Sequence, residues 1–589
     1  MKDFIEKLLY IVIDVLPLAC IMVPAAAQSD SHMRAVMAMV GASSEEELDE
    51  QEMERFDHFL SHPLRINIDS RSKLLSSGLM SRYQVASLED YRSRNGDVLS
   101  FSELSMIEGF NPEYVAALKP FLSLVGQERP GEIPDSSISV RNDAMVRVTV
   151  KSDGLNYGAK YRLTYGEKAE LMAAGRTPSS WSAGMVFYGS RRAWKAVMGD
   201  YNLRFGQGLT MWSGLSLTGF SSSSSFYRRP TGLSPSFSWS GAGSHRGVAA
   251  DCQIGRFVLT SFASFPGLRD LCDGRKCHVS FLGGVNLGYF GRNGQISVTA
   301  FGKRGGGAVS TDFRFNHKGF DFFGETAFDV ASDKVAVTAG SVIPLGGDWK
   351  LSGVARYYPS DYKLEYSGGV RSWTRTSDEI GAAFGLERYG FRLTADFARK
   401  DSGREVRQCK VLAILPLQVC KTVVVSFRFT ERYRPNEDFL RFKTGARMDI
   451  DWSSSGISAR YGESDDDAWK VRCRAEGMLC RSSSGLAYLE IGRKTEMLSA
   501  YVRGTVFLVD YWDDRIYSYE RDVPGSFTVP AYYGRGLSLS AAGGYRFRFG
   551  ERKRKTLKLN LRVSSVCYPF MNEPKPSVMQ ARFQASASF

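Results

Sequence analysis

Long apolar runs are scarce in this chain of 589 residues. Beyond the N-terminal segment no stretch approaches the roughly 18 consecutive apolar residues that a membrane-crossing helix needs, which excludes such a helix over the rest of the chain. Histidine is scarce too, six in all. His245, His278 and His317 have no carboxylate or serine motif partner nearby, so the base of a hydrolase has no candidate and the chain is read as non-enzymatic. No CxxC occurs, which removes a thioredoxin-like redox motif. In an exported protein, Cys272 with Cys277, or Cys473 with Cys480, are near enough to close small loops, and the pairing stays open. Cys272, Cys277 and His278 make only a weak zinc constellation. The acidic runs ESDDDAW and VDYWDDR read as solvated loops rather than calcium sites. No cofactor and no metal is called for.

What is present begins with MKDFIEKLLYIVIDVLPLACIMVPAAAQSD. A lysine-bearing start, an apolar run broken by Asp14 and Pro17, and the small residues Ala25, Ala26 and Ala27 predict a secretory signal over 1–27. Net charge is +13 and mean hydropathy is -0.22. A membrane barrel gives the same negative mean, because each lipid-facing residue is followed by a lumen-facing one.

From Ser44 to about Leu124 the apolar spacing is helical, and from about Ser139 to Phe589 it is two. Between them VGQERPGEIPDSS reads as a linker. The stretch SSEEELDEQEMERFDHFLSHP predicts a helix opened by Ser43 or Ser44, with acids in its first turn, where the dipole favours them, and its acidic run as a solvated face. In the second region AMVRVTVK, WKLSGVARY, FRLTADF, TVVVSFRF and LKLNLRVS each keep their charge on one face. The last strand, MQARFQASASF, puts Met579, Phe583 and Phe589 on one side and Gln580, Arg582 and Gln584 on the other. Strands continuing for about 450 residues, with aromatics near their ends, predict a transmembrane antiparallel β-barrel of roughly 20–26 strands.

Its lumen is expected to carry Arg147, Lys151, Arg356, Arg392, Arg428, Lys558, Arg562 and Arg582, opposed by Asp321, Glu325, Asp329 and Asp396. Such charges either pair with one another or bias the lumen toward anions. A barrel this wide exceeds what its own side chains can fill. The Gly/Ser-rich stretch 206–247 is either a plug or a long external loop.

Within the helical region, RINIDS, DYRSRNGDVLSFSEL and LKPFLSL resemble the opening, centre and exit of the tandem helix-hairpin-helix domain of the ComEA type, over Leu64 to Leu124. The resemblance implies DNA phosphate held by hairpin amides at helix N-termini. Here the hairpins are Ser77-Gly78-Leu79-Met80 and Glu108-Gly109-Phe110-Asn111. Both lack the second glycine, and Glu108 adds a negative charge. Gly78, Leu79, Met80, Gly109, Phe110 and Asn111 are therefore candidate contacts to phosphate or to a protein partner, with Arg71, Lys73, Arg82, Arg92 and Arg94 assisting in the DNA case. GDYNLRFGQGL also resembles a segment of outer-membrane proteins that carry this domain.

The expected organisation is a signal at 1–27, a periplasmic helical domain at 28–128 with its core at 64–124, a linker at 129–138, and a barrel at 139–589. The fold class is mainly β, a large transmembrane barrel preceded by a small all-α domain. The expected role is transport or envelope assembly at the outer membrane of a Gram-negative bacterium. Expected partners are membrane lipid, the barrel-assembly machinery, which reads an aromatic-ended last strand (Phe583, Phe589), and an envelope protein docked on or near the helical domain. DNA uptake is the alternative, and a surface hydrolase a third.

Overall fold

The computed structural model describes residues 30–126 and 140–589, apart from single residues and short loop stretches, the longest of them 269–278. The expected signal and linker, and with them Cys272, Cys277 and His278, lie outside the described residues. So does most of ESDDDAW.

Among the described residues six α-helices come first: α1 (Asp30–Val40), α2 (Glu50–Ser61), α3 (Arg71–Ser77), α4 (Arg82–Asn95), α5 (Phe101–Leu104) and α6 (Pro112–Leu118). Their ends are written in the sequence. Gly78 stops α3 in the left-handed region at φ 67°, Ser81 and Gln84 form a capping box on α4, and Asn111 caps α6 ahead of Pro112. Ile66, Leu74, Val85, Leu88, Leu104, Leu118 and Phe121 are buried as a common core. Asn67 of RINIDS is also fully buried. Its amide donates to the carbonyls of Val98 and Leu124 at 3.0 and 3.2 Å, and its oxygen accepts from the Val98 amide at 3.0 Å. That motif asparagine is thus a structural clasp between the start, middle and exit of the domain.

The barrel holds 24 strands, each antiparallel to the next, from Val140–Lys151 to Val578–Ser588. First and last strands pair from Asp143↔Ser588 to Lys151↔Gln580. Phe589 and Asn142 extend the seam by exchanging backbone hydrogen bonds of 2.8 and 3.0 Å. Closure leaves no strand edge unpaired, which hydrocarbon demands. The period of two sorts side chains by face. Val146, Leu287, Leu539, Phe583 and Phe589 are exposed outward, while Arg147, Arg356, Arg562 and Gln584 are buried inward.

The two ends of the barrel differ. At the near end, where the chain joins the first strand, the described connections are mostly short turns. At the far end three long connections, 205–244, 359–378 and 510–533, fold back into the lumen. In the first of them Leu209, Met211, Phe226, Leu233 and Trp239 are buried. Glu325, on the wall, accepts the amides of Gln207 and Leu209 at 2.7 and 3.0 Å. Gly208, at φ 84°, lets the turn meet the second connection, where the Gly368 amide donates to its carbonyl at 2.8 Å. The third connection opens with VDYWDDR, expected to be a solvated loop, and Asp510, Tyr511 and Trp512 are exposed. Asp514 is instead fully buried, accepting the amides of Arg481 and Ser482 at 2.8 and 2.7 Å.

A candidate functional site inside the barrel

The helical domain sits within the lumen. The expectation of a solvated acidic face is overturned, because the run from Glu45 to Glu54 is the domain's main contact with the wall. Glu45 pairs with Arg472 at 2.9 Å, Glu46 with Arg447 and Arg474 at 3.1 and 2.5 Å, and Glu47 with Arg428 at 3.4 Å. Across the barrel, Glu50 pairs with Arg147 and Arg176 at 3.0 and 2.8 Å, Glu52 with Arg204 at 2.5 Å, and Glu54 with Lys160 at 3.2 Å. These bases come from seven different strands. Helical spacing fans the acids of α2 around its axis, so one turn of helix addresses several strands at once.

Burial alone would raise these carboxyls, yet Arg447 and Arg474 hold Glu46 well below its ordinary 4.5. Arg428 does the same for Glu47, and Arg204 with Arg55 for Glu52. At Glu54 burial wins over Lys160, with Glu50 adding repulsion, and the carboxyl is pushed up to about 7.

A second anchor is Arg82, at the start of α4. Its guanidinium donates to Asn286 at 2.6 Å and to Thr260, and it pairs with Asp251 at 3.4 Å. Its backbone amide donates to the Pro230 carbonyl at 3.2 Å. The first hairpin therefore faces the inward connection at 205–244. Leu79 and Met80 are buried, the Gly78 carbonyl accepts from Arg55 at 2.9 Å, and the Leu79 carbonyl accepts from the Tyr114 hydroxyl at 2.5 Å. The second hairpin lies on the near-end side. Phe110 is buried, Asn111 is spent on its cap, and the Gly109 carbonyl accepts from Gln84 at 2.8 Å.

The cations set beside these hairpins are also engaged within the chain. Arg71 pairs with Glu89, Lys73 with Glu167 at 3.1 Å, and Arg94 with Asp90, while Arg92 donates to the Asn67 carbonyl.

Of the eight expected lumen charges, seven face inward with an acid beside them. Besides Arg147 and Arg428, Arg356 pairs with Glu379 and Asp396, and Arg392 with Glu387 at 3.2 Å. Arg562 pairs with Glu520, and Arg582 with Asp522. Lys558 lies in the field of Asp57 and Asp143. Lys151, at the far end of its strand, is exposed. Mutual pairing, rather than a free anion-selective surface, describes this set. Glu325 and Asp396 are buried in the wall and Asp321 pairs with Arg314 at 3.1 Å. The partners missing from the sequence reading were the acids of the helical domain and, within the barrel, Glu379, Glu387, Glu520 and Asp522. The signal for them was the basic excess itself, which a closed lumen must neutralise.

Two histidines also went unnoticed. His58 and His62 stand one turn apart on and just after α2, their ring centroids 4.8 Å apart, and His62 Nε2 lies 3.7 Å from Asp143 Oδ1 on the first strand. Burial, with Arg162 adding repulsion, holds His58 well below its ordinary value; burial and Arg141 bring His62 down to about 4. They border a cavity of about 750 Å³ between helix and wall, into which Arg65, Lys73, Arg162 and Glu170 also project. His245 is buried between Tyr201 and Tyr366, and His317 ends a strand at a turn. Cys473 and Cys480 are both free thiols. Seven steps of extended chain separate them by about 23 Å, too far for a bond.

No family model and no curated protein matches the chain. Solved structures similar in fold include the translocation pore of the P pilus usher PapC, 9% identical over 76% of this chain and 99% of that one, with a TM-score of 0.34. The Escherichia coli P pilus tip assembly intermediate PapC-PapD-PapK-PapG is 9% identical over 79% of this chain and 63% of that one, TM-score 0.45. OccK5 (OpdH) of Pseudomonas aeruginosa is 8% identical over 76% and 97%, TM-score 0.28. The likeness is of fold alone and says nothing of cargo or partner. The chain is a closed antiparallel β-barrel of 24 strands, preceded by a small helical region.

Proposed function

We propose that this is a non-enzymatic outer-membrane barrel serving transport or envelope assembly, kept shut at rest by its own N-terminal helical domain and the inward connections. The observation that carries the reading is the pairing of Glu45, Glu46, Glu47, Glu50, Glu52 and Glu54 with bases on seven strands. Salt links between a separate domain and a lumen wall are suited to release, since they seal the passage without fusing the two cores. Short near-end turns fit the periplasmic side, so the helical domain enters from the periplasm and its signal is removed on export. Phe583 and Phe589 are the lipid-face aromatics we assign to recognition by the barrel-assembly machinery.

Planar-bilayer conductance of the full chain tests the reading. Wild type is expected to stay closed at low voltage, and the charge reversal Glu45→Lys, Glu46→Lys, Glu47→Lys to open large steps. A reversed variant as closed as wild type, while still heat-modifiable on a gel, would sink it.

A docking role for the same domain is favoured by Leu99 and Met106, 81% and 84% exposed on its surface. Crosslinking through these positions should then capture an envelope protein, and its absence leaves closure as the domain's task. DNA capture has less support, since Leu79, Met80 and the five assisting cations are engaged within the chain. No shift of duplex DNA by the full protein at low salt is the expected result.

A further inference from the structure

We propose that His58, His62 and Asp143 bind one divalent transition metal, zinc fitting best, and that the ion ties α2 to the first barrel strand beside the seam. One ligand atom from each residue lies within 4.8 Å of the others. The HFLSH spacing places two imidazoles on one helix face. The third group comes from a different element, 85 positions on from His58 in the chain, which fixes the helix to the wall. Register sets Asp143 opposite Ser588, whose hydroxyl lies 3.3 Å from His62 Nε2.

Two polar atoms here lack a hydrogen-bond partner although buried, His62 Nδ1 and Asp143 Oδ2. The latter makes only a long ion pair, 3.5 Å to Arg141. Buried polar atoms are rarely left so, and a cation at this cluster satisfies the Asp143 carboxylate.

Two imidazoles and one carboxylate suit zinc with a fourth position open, and a single carboxylate is too few oxygens for calcium or magnesium. Tetrahedral zinc needs ligand atoms about 3.3 Å apart. Side-chain rotation of roughly 1 Å at each residue closes the present spacing. The cavity beside α2 gives the ion a route in and leaves room for a water on the open position. Arg141, Arg162 and Lys558 face the same spot, opposed by Glu54 and Asp57. Their charge places the affinity below that of an uncrowded site and selects a metal that neutral nitrogen holds well.

Occupancy of the site stands by itself; that the ion would hold the domain in place rests on the closure reading above. The full-length, untagged protein in detergent is dialysed against zinc and its metal measured by mass spectrometry, with excess calcium as competitor. One zinc per chain is expected. His58→Ala with His62→Ala should remove nearly all of it, and Asp143→Asn should weaken binding at least tenfold. Cobalt(II) should give the intense visible bands of a four-coordinate ion, lost in the double variant. Because the alanines border a cavity, His58→Gln is carried in parallel, each variant being accepted only if its barrel keeps heat-modifiable mobility. Wild type without stoichiometric zinc, or a double variant that binds as well as wild type, overturns the site whatever the conductance shows.

Discussion

Glu52 touches two cations, Arg204 at 2.5 Å and Arg55 at 3.3 Å, with its own side chain 3% exposed. Removing one partner of a buried pair leaves the others charged and unsolvated, which costs about 3 kcal/mol or more. Glu52→Ala should therefore raise the amide hydrogen exchange of α2 by roughly a hundredfold. Gly78 makes a separate case. Its φ of 67° disfavours any side chain, and a Cβ there would meet the Arg55 guanidinium at 1.7 Å. Gly78→Ala is expected to cost about 1–2 kcal/mol from the backbone alone and to push Arg55 off Glu52. Loss of protection in α2 and α3 together, read by the same exchange measurement, is its signature; protection equal to wild type would contradict it. Sequence reading marked Gly78 for its amides, and the glycine is indeed at a hairpin. Its carbonyl and its missing side chain matter more here, because the space in front of it belongs to an arginine.

At the scale of the element, α2 together with the short helical turn Glu45–Glu47 before it is a titrating strut. Glu46, Glu47 and Glu52 are held below their ordinary 4.5 when seated, so their contribution is whole above that value and lost as pH falls through the lowered ones. In the metal-free protein His58 and His62, held below 6.5, work in the same sense: acid protonates them more readily in the released helix. Glu54, raised to about 7, has the opposite sign between 7 and 4.5, where the seated state takes up the proton first. The terms partly offset above 4.5. Protection of α2 should change little from about pH 7 to 5 and fall steeply below 4.5, and exchange unchanged at about pH 3 would contradict the assignment.

The helix was legible in sequence from its apolar spacing, although it begins at Glu50 rather than at Ser43 or Ser44, the acids Glu45–Glu47 forming a separate short turn ahead of it. Its environment was not. An acidic face against solvent and an acidic face against arginines some 100 to 430 positions away have the same local pattern, and nothing within the segment separates them. The inward connections were half legible: glycine and serine argued against regular structure over 206–247, but the direction in which such a segment folds depends on Glu325 and Tyr362, which lie on later elements.

The whole molecule was the most legible scale. Alternation assigns each strand's two faces without knowledge of its neighbours, so Val146 and Arg147, or Tyr357 and Arg356, fall on the sides the period demands. The strand number follows from turns and came within the expected range. On the lipid face, Leu287 is 48% exposed. Leu287→Arg should cost about 2–4 kcal/mol near the bilayer midplane, far more than an arginine at an inward polar position of the same strand. Urea unfolding followed by gel mobility compares the two, and equal losses would argue against a membrane setting.

The seam joins Val140–Lys151 to Val578–Ser588, and the acidic run binds strands on both flanks of it. A cylinder assembled without its guest would hold a basic annulus that Asp449, Asp451 and Glu476 compensate only in part; a guest without its cylinder would carry six crowded carboxylates. Maturation is thus a joint event in which each half templates the other, and errors in one should surface as misassembly of both.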